Sequence, residues 1–169
     1  MEIYELYRDL ERGPDFVQAF TQGFTQAEAR MRPSPQDWSP LEVIAHLYDE
    51  ERQDFRPRLE IALFHPQEAW APIDPEDWVE RRRYNERDLG EVLQAFIAER
   101  SESLAWLRSL DAPDWEAVYP APFGPIRAGD LLAAWVAHDQ LHLRQLIELR
   151  RYRLAQLSAP FNLRYAGDW

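Results

Sequence analysis

The chain has 169 residues, 46% of them hydrophobic, and carries 30 acidic against 19 basic side chains for a formal net charge of −11. That length suits a single domain, expected here over residues 1–169, and the acidic balance disfavours a nucleic-acid partner, whose phosphates need surplus cations. There is no cysteine and every basic residue is arginine, which removes disulfides, thiolate nucleophiles, cysteine-ligated metals, Schiff-base lysines and the lysine of a phosphate-binding loop.

The opening MEIYELYRDLERG is charged and lacks an apolar h-region, and no stretch approaches the ~20 apolar residues of a membrane span. A soluble, cytoplasmic protein with no membrane partner is the expectation. Prolines cluster at 33–40, 66–75 and 113–125, and they punctuate four segments with helical periodicity. In the first, Ile3, Leu6, Tyr7 and Leu10 share one face, Gly13-Pro14 predicts an interruption, and Phe16, Val17, Phe20 and Phe24 resume the period.

The second segment opens on Ser39-Pro40-Leu41-Glu42, where Ser39 can cap, Pro40 suits the first helical position and Glu42 completes a capping box. Leu41, Ile44, Ala45, Tyr48 and Phe55 form its stripe, and Pro57 predicts a kink or an end. The third runs from near Asp88, with Glu91 three residues on, through Leu89, Val92, Leu93, Phe96, Ile97, Leu104 and Leu107 to about Leu110. The fourth begins near Gly129-Asp130 and carries Leu131, Trp135, His138, His142, Leu146 and Leu149 to about Leu154. No run alternates as a strand and no long period repeats. The expected fold class is therefore all-α, a four-helix bundle. The connections near 57–87 and 111–128 are long enough for at least one to cross an end of the bundle. The aromatic tail SAPFNLRYAGDW is expected to lie against it.

His138 and His142 stand four apart, one turn apart on one helical face. They fall within about 20° of Leu131 and Leu149 on the wheel, so both should point inward. Imidazoles at this spacing can converge on one divalent ion, although two neighbouring histidines without a metal are the plainer reading of the pair alone. His46, on the border of the apolar arc of the second helix, would suit a third ligand at a water-accessible end of the bundle. Three histidines with no fourth strong ligand resemble the open coordination of catalytic sites, which keep a position for water or substrate.

The stretch DWSPLEVIAHLYDEE, followed by AAWVAHDQLHLRQL, resembles the two signature helices of the DinB-like (DinB/YfiT) superfamily of metalloenzymes. The resemblance extends through the proline-rich middle, the helix YNERDLGEVLQAFIAER and the terminal GDW. It implies that His46, His138 and His142 form a metal triad, holding nickel or zinc, in a four-helix bundle that is often a homodimer. It further implies an enzyme acting on a small-molecule electrophile, either a thiol S-transferase using a low-molecular-weight thiol of the bacillithiol or mycothiol type, or a hydrolase. A non-catalytic metal-binding dimerisation module is the alternative from another class.

Several other side chains have both a functional and a plainer role open to them. Glu50, one turn beyond His46, is a fourth ligand, a base or, more simply, a solvated carboxylate. Asp49, Glu51 and Asp139 are read the same way, with Asp139 also able to orient a ligand. Arg100 interrupts an apolar face, as a snorkelling or ion-paired residue does. In a lysine-free chain it is also the candidate for gripping an anionic cosubstrate. His65 reads as a surface loop residue. Trp38 and Trp135 read as core packing near the ligands, or as pocket walls. Arg81, Arg82 and Arg83 read as a salt-bridged surface run.

Overall fold

A computed structural model describes residues 3–167. Helix α1 spans Ile3–Thr21 and a short α2 spans Gln26–Ala29. The second long rod is composite: α3 (Pro40–Glu50), a π-helical turn (Glu51–Phe55) and α4 (Arg56–Phe64) follow without a break. After α5 (Pro75–Arg81) and a 3-10 turn at Tyr84–Glu86 come α6 (Leu89–Ser109), strands β1 (Val118–Ala121) and β2 (Gly124–Arg127), and α7 (Ala128–Ser158).

The bundle forms because each rod has an apolar face to bury. Around it, α1 packs on α6 and α7, and α3 packs on the same two. So α1 faces α3, and α6 faces α7, across the diagonals. The links that cross the ends are therefore 22–39 and 110–127, which bears out a crossover connection. The expected long link at 57–87 is different: its first eight residues are helix, and the remainder joins neighbouring rods.

Neither proline ends its helix, for separate reasons. Pro14 has no N–H for the carbonyl of Leu10, four residues earlier. The Arg100 guanidinium takes that bond instead, with Nη1 2.9 Å from Leu10 O, so α1 continues through Gly13-Pro14. Pro57 lies in the first turn of α4, just after the π turn in which the Arg56 N–H reaches back to Glu51 O. The wider turn leaves room for the ring.

The helix starts at Ser39 and Asp88 form as expected. Ser39 Oγ accepts from Glu42 N and Glu42 Oε2 accepts from Ser39 N at 2.7 Å, while Asp88 accepts from Glu91 N. The small antiparallel hairpin, Val118 opposite Arg127 and Ala121 opposite Gly124, was not anticipated. Four residues per strand are too few for a visible alternation. Tyr119 Oη binds Glu68 O and Trp70 N, tying the 65–74 loop to it.

The core divides in two. Leu41, Ile44, Leu47, Trp78, Tyr84, Phe96 and Leu146 form one cluster, and Leu10, Leu59, Leu107, Tyr119, Leu132 and Trp135 the other. Between them runs a polar layer with one residue from each rod: Gly13, Glu51, Arg100 and Asp139. All five Arg100 N–H groups are used, on both carboxylates and Leu10 O, at 2.6–3.0 Å. Glu51 also accepts from Trp135 Nε1 at 3.1 Å. Gly13 admits this layer because a Cβ there would sit 2.8 Å from Asp139 Oδ2 and 2.9 Å from Arg100 Nη1.

The tail departs from expectation. Phe161 and Tyr165 are exposed rather than packed on the bundle. Asp168 and Trp169 of the GDW motif lie outside the described residues.

Candidate metal centre

The capping box that starts α3 at Ser39 places His46 two turns into the rod, facing α7. There His138 and His142 project from successive turns. His46 Nε2 lies 3.2 Å from His138 Nε2, and His142 Nε2 lies 3.1 Å from the same atom. One candidate ligand atom from each residue fits within 4.8 Å of the others. Among the described residues this is the only such group of three.

The nitrogen atoms suit a cation better than they suit one another. His142 Nδ1 is 2.9 Å from Gln145 Oε1, an acceptor, so that ring carries its proton on Nδ1 and turns a lone pair toward His138. A proton on His138 Nε2 can serve only one of its two neighbours. An ion accepts three lone pairs at once. With metal–nitrogen bonds near 2.05 Å, ligand nitrogens sit about 2.9 Å apart at octahedral angles and about 3.3 Å apart at tetrahedral ones. The observed separations fall between these values. Three neutral imidazoles suit zinc, nickel, copper or iron.

Burial sets their protonation. His46 is pushed down to about 2 by desolvation and then by His142 and His138. His138 falls to about 3 through desolvation, His142 and Arg100. Desolvation also lowers His142, partly offset by Gln145 and Asp139. The triad is thus neutral at physiological pH, the state a metal requires.

A stability test follows for the metal-free protein. Histidines with depressed folded values stabilise above the unfolded value of 6.5 and lose that contribution as pH falls below it. Glu50, raised to about 8, and Asp54, raised by burial, act oppositely but with two protons against three. The denaturation midpoint of metal-free protein should fall between about pH 7.5 and about pH 5.5, and fall less in a His138→Ala/His142→Ala variant. Equal pH dependence in the two proteins would contradict this account.

His46 was expected at a water-accessible border, yet it is only 4% exposed. A wheel describes one helix, and here α5 and the 3-10 turn cover the outer side of α3. His142 is buried and His138 partly exposed. The ring of Trp38 lies 4.9 Å from that of His46 and stacks on His142 at 6.1 Å with 4° between planes. Phe55, on the π turn, sits 5.0 Å from His138. A cavity of about 440 Å³ opens beside His142, lined by Gln36, Asp37, Trp38, Glu76 and Gln145.

The carboxylates read as solvated are buried instead. Asp49 accepts from Arg82 Nη1 and Tyr84 Oη, each at 2.6 Å. Glu51 and Asp139 hold Arg100. That guanidinium is ion-paired as its plainer reading held, and its donors are exhausted, so it has none left for an anionic cosubstrate. Glu50 is pushed up to about 8, by burial first and then by Asp54. His65 is exposed in its loop, and Arg81, Arg82 and Arg83 pair with Asp77, Asp49 and Glu86. Trp135 is a core residue, while Trp38 both packs and walls the site. Gln145 and Phe55 were missed. The i,i+3 spacing from His142 could have flagged Gln145, whereas Phe55 depends on the π turn.

A four-helix bundle with diagonal connections, carrying three convergent histidines from two of its rods, is the class these features define. The chain belongs to the DinB superfamily, whose family model matches residues 9–146 and so spans all three histidines. YfiT from Bacillus subtilis, described as "a probable metal-dependent hydrolase with an unusual four-helix bundle topology", has a similar fold. Its TM-score is 0.78 at 20% identity, over 88% of this chain and 86% of that one. No curated protein matches the chain by sequence. Among the described residues no helix is long and apolar enough to cross a membrane.

Proposed function

We propose that the protein is a metal-dependent hydrolase in which His46, His138 and His142 hold one divalent ion, nickel or zinc. The convergence of three neutral imidazoles, with His46 Nε2 and His142 Nε2 at 3.2 and 3.1 Å from His138 Nε2, carries this reading. Membership of the DinB superfamily and the likeness to YfiT support it.

An ion bound here supplies Lewis acidity and favours the deprotonated form of a coordinated nucleophile. The protein's contribution is the arrangement around it. Gln145 fixes the His142 tautomer, so that Nε2 is free to ligate. Trp38 and Phe55 wall the triad from bulk water, and a dry site strengthens every electrostatic interaction inside it. With three protein ligands, coordination positions remain for a nucleophile and a small electrophile.

Thiol S-transfer to an electrophile is the second reading. The chain has no cysteine, so a thiol would have to arrive as cosubstrate at the same open position. Water and thiol are separated by presenting metal-loaded protein with an activated ester alone, and with added bacillithiol, mycothiol or glutathione. Turnover in water alone, abolished by a chelator, is the expected result. Turnover only when a thiol is present would replace hydrolysis by thiol transfer, and inertness in every arm would favour a metal-binding module.

A further inference from the structure

Among the described residues, five buried side-chain atoms lack a hydrogen-bond partner: His46 Nδ1, Glu50 Oε1, Asp54 Oδ1, Arg58 Nε and Trp70 Nε1. Buried polar atoms are nearly always satisfied, so each exception calls for an explanation. Four of the five belong to one rod and are spaced by four residues. On a regular helix that spacing would drift by about 40° per step. The π turn at Glu51–Phe55 inserts an extra residue and takes the drift back. It thereby keeps Asp54 and Arg58 in file with His46 and Glu50.

At the far end of the file, Arg58 Nε lies 2.6 Å from Asp54 Oδ1, an ion pair whose angle falls outside hydrogen-bond geometry. At the near end two unpartnered atoms face each other. His46 Nδ1 is 3.9 Å from Glu50 Oε1, and both side chains are 5% exposed. Trp38 and the other two histidines ring His46, yet none of them hydrogen-bonds its Nδ1. An imidazole that gives its Nε2 lone pair to a cation must carry its proton on Nδ1, and metal-bound histidines almost always donate that proton to a carboxylate, carbonyl or water. Glu50 is the nearest partner within this buried file.

We propose that Glu50 is the positioning residue of His46: on metal binding its Oε1 accepts the Nδ1–H, closing the 3.9 Å gap and fixing the ring's tautomer and orientation. Glu50 touches neither the ion nor a substrate in this account. His142 has Gln145 in the same role on the other rod, so each of these two ligands is held from behind by a neighbour on its own helix. This inference rests on the metal-binding reading above.

The test compares zinc affinity, by chelator competition, in the parent, Glu50→Ala and Glu50→Gln, alongside nitrogen-15 NMR of the histidine side chains. Glu50→Ala should bind zinc about tenfold or more weakly, and Glu50→Gln, which keeps an acceptor oxygen, should recover most of that loss. The zinc-loaded parent should show a slowly exchanging His46 Nδ1–H that Glu50→Ala lacks. A merely structural glutamate would leave that resonance in place. Parent-like affinity and an unchanged Nδ1–H in Glu50→Ala overturn the proposal. Should Glu50→Ala fail to fold, the Nδ1–H shift in Glu50→Gln decides: movement from the parent's position supports it and identity overturns it. Absence of zinc uptake by the parent itself would bring down the metal-binding reading and this inference together, whereas zinc uptake with an indifferent Glu50 brings down only the second.

Discussion

Protein purified without an affinity tag is expected to contain close to one equivalent of a divalent transition metal, and a His138→Ala/His142→Ala variant is expected to contain essentially none. Two of three ligands are removed while the fold is spared. His138 is partly exposed and His142 lines a cavity, so truncation there opens space that water can enter. His46 alone is a weak site, since one imidazole lacks the chelation that makes three convergent donors bind tightly. Because the triad is neutral at pH 7, binding need not release a net proton from any of the three rings. The measurement is elemental analysis of both proteins, with circular dichroism to show that the variant is helical. Equal and negligible metal in parent and variant would remove the basis for a metalloenzyme. Metal that is present and whose removal by chelator unfolds the protein would point to a structural ion.

Replacing Arg100 by leucine should be the most destabilising single change outside the site, by about 3–5 kcal/mol. The side chain is 1% exposed and spends all five donors inside the bundle. Its removal leaves two buried carboxylates, Glu51 and Asp139, facing one another without a cation. It also strands the carbonyl of Leu10, which Pro14 cannot serve. Leucine fills some of the volume but satisfies none of these groups. Part of the penalty will be relieved if one carboxyl takes up a proton, which predicts a smaller loss at low pH. Urea denaturation of the parent and variant measures the difference, and a loss below about 1 kcal/mol would show that the polar layer contributes little. The same layer adjoins the site, with Asp139 next to His138 and Glu51 opening the π turn that ends at Phe55. Metal affinity in Arg100→Leu should therefore fall even where the variant remains folded.

Much of the fold was legible because its signals are local. Ser39-Pro40 with Glu42, and Asp88 with Glu91, start helices by satisfying backbone N–H groups within three residues, and the predicted starts formed. The inward stripe of α7 was likewise legible, since Leu131, Trp135, His142, Leu146 and Leu149 follow one helical period and all are buried. Pro14 and Pro57 misled for the converse reason. Proline removes a local hydrogen bond, and whether a helix survives depends on what replaces it. At Leu10 the replacement comes from Arg100, 90 residues away. The tail was misjudged because aromatic content alone does not say whether a surface exists to receive Phe161.

The zeros in the composition, no cysteine and no lysine, decided by themselves which chemistries are closed to this chain. The spacing of His138 and His142 decided that two imidazoles share one face, for helical geometry is fixed by the backbone. Only the tertiary structure decided that His46 joins them, that Glu50 is buried behind it rather than solvated, and that Arg100 is committed to the core. Each of those facts depends on residues from another rod, and a helix carries no record in its own sequence of what covers it.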